Sequence, residues 1–253
     1  MPNPAAQPPA TPSAAAAAGQ PPGWHGKLPS LGDFASRRLG SAFIDPWDGW
    51  LASGLLALRE QRPEGWLQDY LGSPSWRFLL MPGVMPGTGP GHAGAQAWAG
   101  VLMPSVDRVG RYFPLTLVLP LGAGPAHTQE MNGLWAWLSR LDELARDALF
   151  EDWTADRLED ELARMALPAL SPLPAAGAAM PAVTGALVAP ASAAPADAAL
   201  HIGAQAQAAW AEGARGLAWW HARPDEQAPR LWVSRGLPGA AAMTQLFGPA
   251  ATI

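Results

Sequence analysis

Two stretches of this chain have compositions that cannot build a core, and they bound what the rest can fold into. Residues 1–23 hold seven prolines and eight alanines without a charge, and residues 168–200 hold six prolines and fourteen alanines with Asp197 as the one charge. Segments with so little large apolar surface do not offset the entropy of ordering their backbone. They read as a disordered tail and a disordered insertion. About 200 residues remain, the size of one globular domain. The expected organisation is a tail over 1–23, a main part over 24–167, an insertion over 168–200, and a closing part over 201–253 that completes the same domain.

The remaining composition excludes several functional classes. Sixteen basic and twenty-one acidic side chains leave a net charge of −5. No window concentrates lysine or arginine, so the counterion-release term that drives nucleic-acid binding lacks its donors. The chain has no cysteine, which removes disulfides, thiolate metal sites and thiol nucleophiles. Its apolar runs are broken by proline or charge before the ~18 residues a membrane span needs, and the start lacks the basic and leucine-rich parts of a secretory signal. A cytoplasmic location without direct membrane insertion is expected.

Hydrophobic spacing predicts alternating helices and strands. Asp45 and Pro46 read as N-cap and first helical residue, with Trp47, Trp50, Leu51, Leu55 and Leu58 on one face and a stop before Pro63. A short helix over 64–71 with Trp66, Leu67, Tyr70 and Leu71 inward should precede a strand over 76–81. Further strands are expected over 98–103 and 115–119, with a loop over 82–94. Helices follow over 129–150 and from a Thr154 cap, with Leu158, Leu162 and Met165 inward. After a helix over 204–213, strands over 217–222 and 231–235 frame a turn at Pro224-Asp225-Glu226, and a short helix closes the chain near 240–247. The fold class is α/β, a single three-layer domain with a mixed β-sheet flanked by helices. Thirteen tryptophans supply most of the large core rings, with adjacent Trp219 and Trp220 on opposite faces of a strand.

Familiar catalytic signatures are missing. Gly89-Pro90-Gly91-His92-Ala93-Gly94 matches G-x-G-x-x-G, but a proline-rich loop leads from it into a strand, and a dinucleotide site needs a helix there. His127 and Glu130 stand one helical turn apart, a spacing more often met at a solvated helix start than at a metal. No cofactor, metal or catalytic residue is expected. A serine hydrolase centred on Ser105 is the enzymatic alternative, and it requires a histidine to fold back onto that hydroxyl.

The unusual chemistry is a charged turn among apolar strands, Pro104-Ser105-Val106-Asp107-Arg108-Val109-Gly110-Arg111-Tyr112-Phe113-Pro114, together with Gly26-Lys27-Leu28-Pro29-Ser30-Leu31-Gly32-Asp33-Phe34. Two readings stand side by side: ion pairs that fix loop register, and a polar groove that receives a partner.

These segments resemble the TagF (ImpM) accessory proteins of bacterial type VI secretion. The family's opening G-K-x-P-x-x-G-D-F is similar to residues 26–34, and its tryptophan-bearing first helix to Trp47 and Trp50. Its S-P-x-W-R-F is similar to Ser73-Pro74-Ser75-Trp76-Arg77-Phe78, and its A-G-V-x-x-P-S-x-D-x-V-G-R-x-F-P-L to residues 99–115. The stretch 217–238 resembles the family's C-terminal region more loosely. The resemblance implies a noncatalytic cytoplasmic repressor that restrains assembly or firing of the apparatus after translation, with the forkhead-associated scaffold as partner; a purely structural subunit of the machine is a further alternative. Candidate motif or partner-binding residues are Lys27, Ser30, Gly32, Asp33, Trp76, Arg77, Ser105, Asp107, Arg108, Gly110 and Arg111. Lys27, Asp33, Arg77, Asp107, Arg108 and Arg111 are expected to cluster at one end of the sheet.

Overall fold

The computed structural model describes residues 20–87, 93–122, 124–125, 128–166, 168, 170, 213–222 and 230–247. Outside them lie nearly all of the expected tail, insertion and 204–213 helix, residues 89–92 of the glycine-rich loop, His127 and the 224–226 turn.

Seven strands form one sheet in the order β2-β1-β5-β4-β3-β6-β7. They are β1 (Gly23–Gly26), β2 (Ala35–Arg37), β3 (Trp76–Leu80), β4 (Ala97–Met103), β5 (Leu115–Gly122), β6 (Leu217–Ala222) and β7 (Arg230–Arg235). All six pairings are antiparallel, where a mixed sheet was expected. The reason lies in the connections. Strands β1–β2 and β4–β5 are neighbours joined without a helix, and a parallel pair would need a helical crossover between them. The two helix-bearing connections, β2 to β3 and β5 to β6, also return the chain antiparallel to its new neighbour.

Strict alternation along the central strands divides the core between two faces. On one face Phe78, Leu80, Trp98, Leu102, Val118 and Trp220 meet α1 (Ser41–Gln61), α2 (Trp66–Leu71) and α5 (Met243–Leu246). On the other Leu79, Ala99, Val101, Leu117 and Leu119 meet α3 (Thr128–Phe150), with α4 (Ala155–Arg164) supplying Leu158 and Leu162. The result is the expected three-layer α/β domain. Trp47 is fully buried, stacked on Phe43 and tilted against Phe78, and its indole donates to Thr116 Oγ1 at 2.9 Å, so the ring satisfies its one donor inside an apolar layer.

Helix α1 starts a turn earlier than the Asp45-Pro46 pair suggests. Its N-cap is Gly40 and Pro46 lies inside it. Phe43 is buried against Trp98, ring centroids 4.4 Å apart, and that contact extends the helical face upstream. Proline is tolerated there at the cost of one early hydrogen bond. Leu71, expected inward, is 54 % exposed because α2 ends there and the chain turns away at Gly72. The Thr154 cap is present and accepts from the Arg157 amide. Trp220 is buried and Trp219 only partly, as alternation requires.

Candidate functional site at the motif corner

The opening motif forms the β1–β2 hairpin and the charged turn forms the β4–β5 connection. Strand β1 pairs with β5, which brings the two loops together at one corner of the sheet. Gly26 makes the approach possible. Its φ is +132°, and a Cβ there would stand 2.1 Å from the Pro114 carbonyl oxygen, so a side chain is excluded on both counts.

Asp107 organises the corner. Its Oδ2 accepts from Lys27 Nζ at 2.6 Å and Arg111 Nε at 2.7 Å, and its Oδ1 from the amides of Val109 at 3.0 Å and Arg111 at 2.9 Å. The Asp107 side chain has no exposed surface, and that of Lys27 has 3 %. Burial opposes the charge on Asp107. The hydrogen bonds from Lys27, from the Arg111 backbone and side chain, and from the Val109 backbone outweigh it and hold the carboxyl well below its usual range. Backbone ties close the turn: Asp107 N to Arg111 O at 3.0 Å and Gly110 N to Asp107 O at 3.0 Å. Gly110 takes the left-handed φ of +82° this turn requires.

The loops are then stitched to each other and to the core. Arg111 Nη2 donates to the Gly32 carbonyl, and Arg108 N donates to Leu31 O at 2.9 Å. Ser105 Oγ donates to Lys27 O at 2.7 Å. Tyr70 OH accepts from Ser105 N at 2.8 Å and donates to Ser105 O at 2.9 Å, and burial pushes its phenol pKa above the ordinary value. Ser30 Oγ reaches the Trp153 carbonyl at 2.7 Å. Phe34 covers the lysine, whose Nζ sits 4.2 Å from the ring centroid, and packs edge-on against Phe113.

The corner therefore has a buried half and an outward half. Lys27, Ser105 and Asp107 are inside, while Asp33, Phe34, Arg108, Val109, Gly110 and Arg111 are exposed. Asp33 Oδ1 lies 3.6 Å from Arg111 Nη2 and accepts from the Phe34 amide at 2.8 Å. Two motif residues go elsewhere. Trp76 is buried on the opposite side of its strand, its indole donating to Leu246 O at 2.9 Å. Arg77 points to the other face of β3, where Nη1 donates to Ser139 Oγ at 2.6 Å and Nε stands 4.0 Å from Asp142 Oδ2. The expected six-residue cluster thus loses Arg77, because alternation along β3 aims it at α3.

Ser105 is 4 % exposed, and its hydroxyl proton is directed at a backbone carbonyl. Of the described histidines, His25 Nε2 faces Asp48 Oδ1 at 3.2 Å and His221 lies against the Trp135 ring at 5.7 Å. No group of three or more potential metal ligands occurs among the described residues, and no described helix is long and apolar enough to cross a membrane. Sequence reasoning missed the part played by Tyr70. The available signal was that this tryptophan-rich chain uses only two tyrosines, which marks positions where a hydroxyl matters.

Fold and corner together define the class: a three-layer α/β domain whose shared motifs lock two loops at one end of an antiparallel sheet. Residues 23–165 match the family described as TagF N-terminal domain, Type VI secretion system-associated. The chain is also similar to PA0076 from Pseudomonas aeruginosa PAO1, known from a 2.05 Å crystal structure, at 32 % identity over 92 % of this chain and 96 % of that one, with a TM-score of 0.68. Curated proteins give no match. The chain belongs to the TagF family, and its role is connected with type VI secretion.

Proposed function

We propose that this protein is a non-enzymatic, cytoplasmic repressor of type VI secretion, acting after translation through contacts with the forkhead-associated scaffold of the apparatus. One observation carries the reading: Lys27, Ser105 and Asp107 face inward and bond to one another's loops, while a rim of Phe34, Arg108, Val109 and Arg111 faces out. Arginine and aromatic side chains are typical of interaction hot spots, and the hydrogen-bonded backbone of the two loops sets their positions before binding. The buried, carbonyl-bonded Ser105 lacks what a nucleophile needs, a base at its proton and an open approach.

The test is co-purification with the scaffold, comparing wild type with Arg108→Glu at matched thermal stability. Capture by wild type and at least tenfold weaker capture by the variant support the proposal. Failure of wild type to capture any secretion component, with secretion unchanged on overexpression, overturns it. Deletion of the gene should release secretion; loss of secretion on deletion would instead favour a structural subunit.

A further inference from the structure

Arg77 belongs to the motifs but not to the corner, and its surroundings form a second site. On the α3 face of the sheet a cavity of about 440 Å³ is lined by Arg77, Trp135, Ser139, Trp219, His221 and Leu231, among others. The strand register builds it. Arg77 pairs with His221 on β6 and His221 with Leu231 on β7, so the three form one row across the sheet, and α3 supplies the wall of Trp135 and Ser139. Leu231, 66 % exposed, stands at the mouth.

We propose that this cavity binds a carboxylate carried on a flat apolar body. Its volume lies within the ~300–1,000 Å³ of ligand pockets, and its mix of aromatic walls with a few convergent polar groups is typical of them. Of the lining polar groups, the arginine, indoles and serine favour an anion, and His221 can donate one N–H to it. Arginine and indole only donate, and Ser139 Oγ has its own proton on Trp135 O at 3.0 Å while accepting from Arg77. No Asp or Glu is among the described residues that line the cavity. Asp142, whose Oδ1 takes the Ser75 hydroxyl, stands behind Arg77 on the Nε side and orients the guanidinium. Two indoles supply the apolar faces against which a flat body packs. The site is separate from the corner and does not depend on the repressor reading. Such a group could be a free small acid or the last residue of a partner chain.

Indole-3-propionate is the probe, with indole-3-propionamide as its uncharged twin and a ten-residue Gly/Ser peptide ending in free tryptophan as the chain-end form, titrated into the full chain by calorimetry and ligand-observed NMR. The acid should bind in the micromolar to millimolar range and the amide at least tenfold more weakly. Arg77→Gln and Leu231→Asp should each weaken the acid at least tenfold. Leu231→Asp sits on an exposed position and keeps the test valid if Arg77→Gln unfolds; Val233→Asp, on the same face outside the cavity, should bind as wild type. Tighter binding of the peptide than of the acid assigns a chain end, and weaker binding assigns a free small acid. Acid and amide binding alike, no binding of the acid, or unchanged binding by Leu231→Asp overturns the proposal.

Discussion

Two arginine–aspartate arrangements in this molecule follow opposite designs. At the corner, Asp107 takes four donors at 2.6 to 3.0 Å with no surface exposed, and Arg111 is one of them. At the cavity, Asp142 stands 4.0 Å from the Arg77 Nε, and Arg77 is one of the lining residues. A buried carboxylate with every lone pair met is a structural rivet, since removing any one donor leaves uncompensated charge. An arginine that lines a cavity stands where a ligand would meet it. The difference teaches that the chemistry of charged motifs is not one thing: saturation marks structure, and an adjacent cavity marks a candidate for binding.

The largest expected effect breaks the first arrangement. Lys27→Met should destabilise the chain by about 3 kcal/mol, the typical result of removing one partner of a buried pair, read as a lower urea midpoint. Arg77→Gln should cost less, about 2 kcal/mol for a lost hydrogen bond from a charged group; equal losses would erase the contrast. Acid titration sharpens it. The folded-state pKa of Asp107 is depressed, so its contribution is present above the unfolded value of about 4 and is lost as pH falls below it. Asp107→Asn should flatten the decline in stability below pH 4 while lowering stability at neutral pH.

Tyr70→Phe comes next. It leaves the buried Ser105 amide without its partner, for a loss of about 2 kcal/mol. The folded pKa of Tyr70 is raised, so its stabilising effect is full below the unfolded value near 10 and is lost as pH rises above it. The variant should be less sensitive than wild type between pH 10 and 11 in thermal melts. The smallest effect is Gly110→Ala. No atom lies within 4 Å of the added Cβ, so only the φ of +82° is penalised, by about 1 kcal/mol. A loss well above that would show that the turn is packed more tightly than its surroundings indicate.

Much of the fold was legible because apolar spacing is local. The helices over 41–61 and 128–150, the Thr154 cap and strands β3 to β7 all follow from periodicity and capping chemistry. The hairpin of β1 and β2 was not read as strand. Its residues carry glycine, proline and charge, and they become strand only because β5 offers an edge to pair with. Helix α1 began early for a similar reason, since the Phe43 contact with Trp98 is invisible along the chain. The corner was recognised as a pair of motifs, and Lys27, Asp107 and Arg111 were correctly brought together; Arg77 was misplaced because motif membership says nothing about which face a strand position takes.

By itself, the order of residues determined where helices and strands can form, which two segments carry unusual charge, and which classes of chemistry lack their side chains. Only the tertiary structure decided that Asp107 is buried and saturated, that Tyr70 holds the Ser105 backbone, and that Arg77 borders a cavity. The physical reason is range. Propensity and amphipathic spacing act over a few neighbours, whereas burial and hydrogen-bond saturation depend on sheet register between residues some eighty positions apart, as Lys27 and Asp107 are.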